Sequence, residues 1–151
     1  MSKSYKKFYL IILVLIIITI GLYFREKEFI FVEDNSKVTL ISADYKVNSI
    51  YNTLDLSFEE IPRELNEEII SILLNIKIRN SFLPYDISHS VDEGDTHIDI
   101  KVATEDRGSL FVHICNQQEY SSVNINDEYY SIINSKEIFE EIYDLIFGVL
   151  L

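Results

Sequence analysis

The chain carries 25 Asp and Glu against 13 Lys and Arg over 151 residues, a formal charge of −12, with one cysteine and 48% apolar residues. One cysteine excludes an intramolecular disulfide framework, the acid excess argues against binding a phosphate backbone, and the wealth of Ile, Leu, Val, Tyr and Phe argues against disorder. The length beyond the first two dozen residues suits one ordinary domain.

Lys3, Lys6 and Lys7 precede an uncharged run from Phe8 to Phe24 (FYLIILVLIIITIGLYF), and Arg25 and Lys27 follow it. As a helix the run would measure about 26 Å, near the lower limit for a hydrocarbon core of about 30 Å. A secretory signal peptide shares the basic start and apolar stretch, but its cleavage site needs small residues. Here Gly21 leads into Leu22, Tyr23 and Phe24, and the first alanine is Ala43. A lipoprotein needs a cysteine just after the run, whereas Cys115 lies far downstream. A buried core helix would carry a polar stripe, and only Thr19 and Gly21 interrupt this one. The run therefore predicts a transmembrane helix over 8–24 that partners the lipid bilayer.

Three lysines and the terminal amine on one side, against Arg25 and Lys27 on the other, favour a cytoplasmic tail over 1–7 and a body outside. Tyr9, Tyr23 and Phe24 suit interfacial belts, or simply fill apolar space. Three of the 13 cations precede the run and no acid precedes Glu26, so 10 cations face 25 acids from Arg25 onward, a formal −15. Such a body repels nucleic acid and anionic headgroups. It is either merely soluble outside the cell or attracted to a basic protein partner or to cations in the wall space.

Residues 25–36 read as a juxtamembrane linker and 37–151 as the domain. Phe29 to Val32 and Lys37 to Ser42 look extended around the turn-forming Asp34-Asn35-Ser36, the second with Val38, Leu40 and Ser42 on one face and Thr39 and Ile41 on the other. Lys46 to Leu56 continues as extended chain, with Ile50, Leu54 and Leu56 evenly spaced. The clearest helix signal of the body covers 57–74, and the helix is expected to end near Asn80. Pro62 and the acids Glu59, Glu60 and Glu64 mark its start, Ile61, Leu65, Ile69, Ile72, Leu73 and Ile76 its apolar face, and Lys77 and Arg79 its end. Arg79 to Asp95, with Asn80, Ser81, Pro84 and Gly94, reads as a long loop.

Thr96 to Thr104 and Ser109 to Cys115 alternate as paired strands about Glu105-Asp106-Arg107-Gly108, with Gly108 in the left-handed position. The pairing that keeps both apolar sets together sets Ile98, Ile100 and Val102 beside Ile114, Val112 and Leu110, and turns Phe111, His113 and Cys115 to the other face. Tyr120 to Ile125 and Glu128 to Ile133 extend the meander around Asn126-Asp127. A last helix follows, capped at Asn134 or Ser135 with Glu137 completing a capping box, its stripe formed by Ile138, Ile142, Leu145 and Val149 and widened by Phe139 and Ile146.

Reactive constellations are few. Four glycines leave no nucleophile elbow and no phosphate-cradling loop. His113 and Cys115 share a strand face, as a nucleophile pair would, though cysteine is most often simply buried. His97, Asp99, His113 and Cys115 supply metal-ligand types across one hairpin, without a zinc spacing; an alternating solvated face gives the same set. Asp92, Glu93 and Asp95 around Gly94 lack the ligand order of an EF-hand. Carboxylate pairs for glycoside hydrolysis could be chosen anywhere among so many acids. Tyr120, Tyr129 and Tyr130 cluster as a binding surface would, or as ordinary strand residues.

The run from Lys37 through the Tyr129-Tyr130-Ser131-Ile132 strand into the helix from Ile138 to Ile146 resembles small uncharacterised membrane-tethered or lipoprotein domains of low-GC Gram-positive bacteria. That resemblance implies no catalytic residues, and the chain departs from the lipoprotein members in lacking their anchoring cysteine. The sequence thus predicts an α+β fold: a transmembrane helix, then an antiparallel meander sheet with two covering helices in the order β-β-α-β-β-β-β-α. Its expected role is a non-catalytic extracytoplasmic binding or accessory domain, with no catalytic, cofactor or metal residues. The alternative is a membrane-held immunity or inhibitor protein that binds a basic toxin or enzyme.

Overall fold

The computed structural model describes residues 3–28, 32, 35–47, 50–81, 96–104, 108–116 and 121–150. Helix α1 (Lys3–Tyr23) is followed by β1 (Lys27–Glu28), β2 (Lys37–Val47), β3 (Ile50–Ser57), a 3₁₀ turn (Phe58–Glu60), α2 (Arg63–Leu73) and β4 (Lys77–Asn80). Then come β5 (Thr96–Thr104), β6 (Gly108–Cys115), β7 (Ser122–Ile125), β8 (Glu128–Ile132) and α3 (Ser135–Leu150). All pairings are antiparallel, in the order β1-β4-β8-β7-β6-β5-β2-β3. Strands β5 to β8 form the meander, the β2–β3 hairpin extends it at one side, and β4 with β1 closes the other.

The α+β class and the two covering helices are as the sequence predicts. The core lies between one sheet face and the helices. Leu65, Ile69, Leu73 and Ile76 in and just after α2, and Ile138, Ile142 and Ile146 of α3, meet Ile41, Ile98, Ile100, Val112, Ile114 and Val123. The β5–β6 register is the one that binary pattern demands: Ile98 opposite Ile114, Ile100 opposite Val112, Val102 opposite Leu110. Gly108 takes φ 80°. Residues 105–107 of that hairpin lie outside the described residues, as does Phe29 to Phe31 of the expected first extended segment; Val32 is buried.

Several readings need correction. The expected phase of β2 fails because its register shifts between Val38 and Leu40, where an extra residue sits opposite β5. Val38 is therefore followed inward by Ile41 and Ala43, and Leu40 and Ser42 turn outward. The bulge is held by Asn66 of α2, whose Oδ1 accepts the Val38 N–H at 2.7 Å, and by Thr39 Oγ1 donating to the Lys101 carbonyl at 3.2 Å. β2 also pairs with β3 and β5, and the extended chain expected from Lys46 on divides between β2 and β3.

The helix expected from Ser57 starts only at Arg63. Pro62 has no N–H and disfavours helical backbone before it, and Ile61 is extended at φ −84°, ψ 113°, separating the 3₁₀ turn from α2.

That helix also ends early. After Leu73 the chain closes with Asn75 N–H to Ile72 O at 3.0 Å and Ile76 N–H to Leu73 O at 3.1 Å. Lys77 and Arg79 belong instead to β4, whose last two residues, Arg79 and Asn80, fall in the stretch expected to be a loop; residues 82–95 of that stretch lie outside the described residues. Asn134 stands at the start of α3 as expected, its carbonyl accepting the Ile138 N–H at 3.2 Å, while its carboxamide faces this turn. Oδ1 accepts the Lys77 N–H at 2.9 Å and Nδ2 donates to the Asn75 carbonyl at 3.0 Å. With β1 and β4 added, the order after α1 becomes β-β-β-α-β-β-β-β-β-α, and Lys27–Glu28 of the expected linker forms part of the sheet.

Candidate functional site

Alternation along each strand places a second set of side chains on the sheet face away from the helices. In register across β3, β2, β5, β6, β7, β8 and β4 stand Asp55, Ser42, Asp99, His113, Ser122, Ser131 and Arg79, an unbroken polar line. Beside it runs a mixed line of Leu40, Lys101, Phe111, Asn124 and Tyr129, and on its other side Thr53, Asp44, His97 and Cys115. The first two lines enclose a shallow groove of about 290 Å³.

The polar line is knit by short bonds. Ser42 Oγ donates to Asp55 Oδ1 at 2.5 Å, and His113 Nδ1 meets Asp99 Oδ1 at 2.7 Å. His97 stands edge-on to the His113 ring at 5.3 Å, and Lys101 Nζ lies 5.2 Å from the centre of the Phe111 ring, a cation–π contact. A carboxylate only accepts, so the proton of this bond is carried by His113 Nδ1.

Asp99, His113 and Ser122 are adjacent in the line and are the residue types of acyl transfer. Their setting is nonetheless a flat ladder. Ser122 is only 2% exposed, and the β6 and β7 main chain around it is paired across the sheet rather than aimed at an oxyanion. The sequence reading of His97, Asp99, His113 and Cys115 is met in part: the four do share this face, as two cross-strand pairs. Among the described residues no group of three or more His, Cys, Asp and Glu is placed to hold a metal ion. Cys115 is buried, with its N–H bonded to Ser121 Oγ at 3.0 Å. Asp92, Glu93, Gly94 and Asp95 lie outside the described residues.

Of the three tyrosines, Tyr120 is likewise outside them. Tyr129 lines the open-face groove and, with Tyr130, a second one of about 420 Å³ whose walls include Tyr23, Lys27, Asn80, Ser81 and Glu128. Tyr130 donates its hydroxyl to Glu128 Oε2 at 2.7 Å, and this bond to a carboxylate holds its pKa above the usual tyrosine value. Asn80 joins the groove to α1: Nδ2 donates to the carbonyl of Tyr23 and Oδ1 accepts from Lys27 Nζ, both at 2.9 Å. Sequence reading missed Asn80 because it fell in the expected loop, and missed the polar line because that line exists only once seven strands are in register.

Helix α1 stands apart from the core. Every large apolar side chain from Phe8 to Tyr23 is exposed, at 38% to 62%. Among the described residues no helix is long and apolar enough to cross a membrane; the part of α1 with described side chains, Phe8–Tyr23, is about 24 Å long, and its whole backbone helix about 32 Å. No protein-family model, no curated protein and no solved structure matches the chain.

Proposed function

We propose that the chain is a single-pass membrane protein whose acidic α+β domain faces outward and acts as a binding or accessory module without catalysis. The observation that carries this reading is the exposure of α1 on all sides. A helix with such a surface in water would be an aggregation site far larger than the few hundred Å² that soluble monomers tolerate, whereas lipid covers it at no cost in polar burial. The groove on the sheet face away from the helices is the surface the domain offers to a ligand. Protease added to intact protoplasts is expected to remove the body; full protection would place the domain in the cytoplasm and overturn the orientation.

A second reading, an immunity or inhibitor protein for a basic toxin or enzyme, is favoured by the outer faces of the helices. Glu64, Glu67 and Glu68 on α2 and Glu137, Glu140, Glu141 and Asp144 on α3 are all exposed. The cations there, Arg63 and Lys136, are paired with Glu67 and Glu140. Such a surface accelerates encounter with a basic protein in a salt-dependent way. Salt-sensitive capture of one basic protein on the immobilised domain supports this reading, and its absence at low salt removes it.

A further inference from the structure

We infer that the groove at the foot of α1 receives the zwitterionic, phosphate-and-amine headgroup of a membrane phospholipid, an inference that rests on the membrane reading of α1. The placement comes first. Tyr23, the last residue of α1, is part of the groove wall, and only Phe24, Arg25 and Glu26 separate it from Lys27 at the start of β1. Three such residues span at most about 14 Å from Tyr23 to Lys27 even when extended. Asn80 shortens the link further, with one amide held by both the Tyr23 carbonyl and the Lys27 ammonium. A span ending at Tyr23 therefore leaves the groove within the headgroup layer.

The chemistry comes second. Lys27 presents an ammonium with three donors, of which Asn80 takes one, and a phosphate is the natural acceptor for the others. Glu128 and Tyr129 line the same groove, and a carboxylate with an oxygen beyond the one bonded to Tyr130, beside an aromatic ring, is the chemistry that receives an amine. Tyrosine is also the side chain that favours the boundary of apolar and wet layers. The volume of about 420 Å³ falls in the usual range for small-molecule sites.

Charge is the third and independent observation. Of the ten cations beyond α1, Arg25, Lys27, Lys77 and Arg79 lie on or next to the β1–β4 edge, against Glu26, Glu28 and the groove's own Glu128, with Lys77 paired to Glu26 at 3.6 Å. The rest of the body is overwhelmingly acidic, so this edge is the part of the domain that a phosphate-bearing surface repels least.

The chain contains no tryptophan, so a single introduced indole is an unambiguous reporter. Full-length Tyr129→Trp and, separately, Leu15→Trp are reconstituted in nanodiscs of phosphatidylglycerol with increasing phosphatidylethanolamine. The Tyr129→Trp emission is expected to shift saturably with phosphatidylethanolamine, with half-saturation weakened about tenfold by Lys27→Gln or Glu128→Gln at unchanged urea midpoint. Acyl-brominated lipid should quench Leu15→Trp in either composition. Quenching at Leu15→Trp without a saturable response at Tyr129→Trp overturns the headgroup site alone. No quenching at Leu15→Trp overturns the membrane reading and this inference with it. Saturation by soluble phosphoethanolamine in detergent, with no response to the lipid, overturns the lipid as the source.

Discussion

His113 Nδ1 lies 2.7 Å from Asp99 Oδ1 across the β5–β6 ladder, with the imidazole side chain 8% and the carboxylate 47% exposed. The pair joins a buried ring to a half-exposed carboxylate on the neighbouring strand, and it orients a ring that would otherwise have to lose water without a partner. A hydrogen bond to a carboxylate that remains half in solvent contributes modestly. Asp99→Ala is expected to destabilise the domain by about 1 kcal/mol, and a double-mutant cycle with His113→Phe to give a coupling of about 0.5–1 kcal/mol. Urea unfolding of the four proteins measures both; a coupling of zero would mean that packing alone holds the ring.

The same two residues show how far the chain could be read before its structure. Their shared face followed from strand alternation, and their cross-strand meeting from the need to keep Ile98, Ile100 and Val102 beside Ile114, Val112 and Leu110. What alternation could not supply was anything set by a distant partner. The β2 bulge depends on Asn66, 28 positions from Val38, and the α2–β4 turn depends on Asn134, 57 positions from Lys77. Short β4 carried too little pattern beside a helix whose last turn shares its apolar period. The Ile61-Pro62 break was legible in principle, because proline restricts the residue before it. Of the candidate site, Tyr129 and Tyr130 were visible as a cluster, but their neighbours Tyr23 and Asn80 come together only through the sheet edge.

Asn126 and Asp127 join β7 to β8 with φ of 51° and 66°, the two successive positive values of a type I′ turn. The strands' twist demands this turn, and Asp127 tolerates it less readily than glycine would. Its side chain is exposed, so nothing is lost in packing. Asp127→Gly is expected to stabilise the domain by up to about 1 kcal/mol, read as a higher denaturation midpoint at unchanged slope.

Glu60 accepts both the hydroxyl and the N–H of Ser57, at 2.7 and 2.8 Å, and these bonds hold its pKa below the ordinary glutamate value. A carboxylate depressed in the folded state stabilises that state above its unfolded pKa and ceases to do so as pH falls through the folded one. The stability difference between the wild type and Glu60→Gln should therefore be constant from neutral pH down to about 4.5 and shrink below it. Melting temperatures of the two proteins across that range measure this, and a difference independent of pH would show that the Ser57–Glu60 bonds do not favour the ionised form.

Helix α1 offers the most severe test of the membrane reading, because its apolar surface is continuous: Ile12 and Ile16 are exposed on one face, a turn apart, together with Leu15 and Ile20. An arginine near the centre of a span costs about 2.5–3.5 kcal/mol on insertion scales, and the isoleucine it replaces forfeits about 0.5 kcal/mol more. The double change Ile12→Arg/Ile16→Arg therefore removes about 6–8 kcal/mol of insertion free energy, beyond what snorkelling from mid-span can recover. In carbonate-washed membranes the wild type is expected to remain in the pellet and the variant to leave it. The domain, whose core among the described residues includes none of α1, should keep its fold in the released protein. If the variant stays in the pellet as fully as the wild type, lipid is not what covers Phe8 to Tyr23.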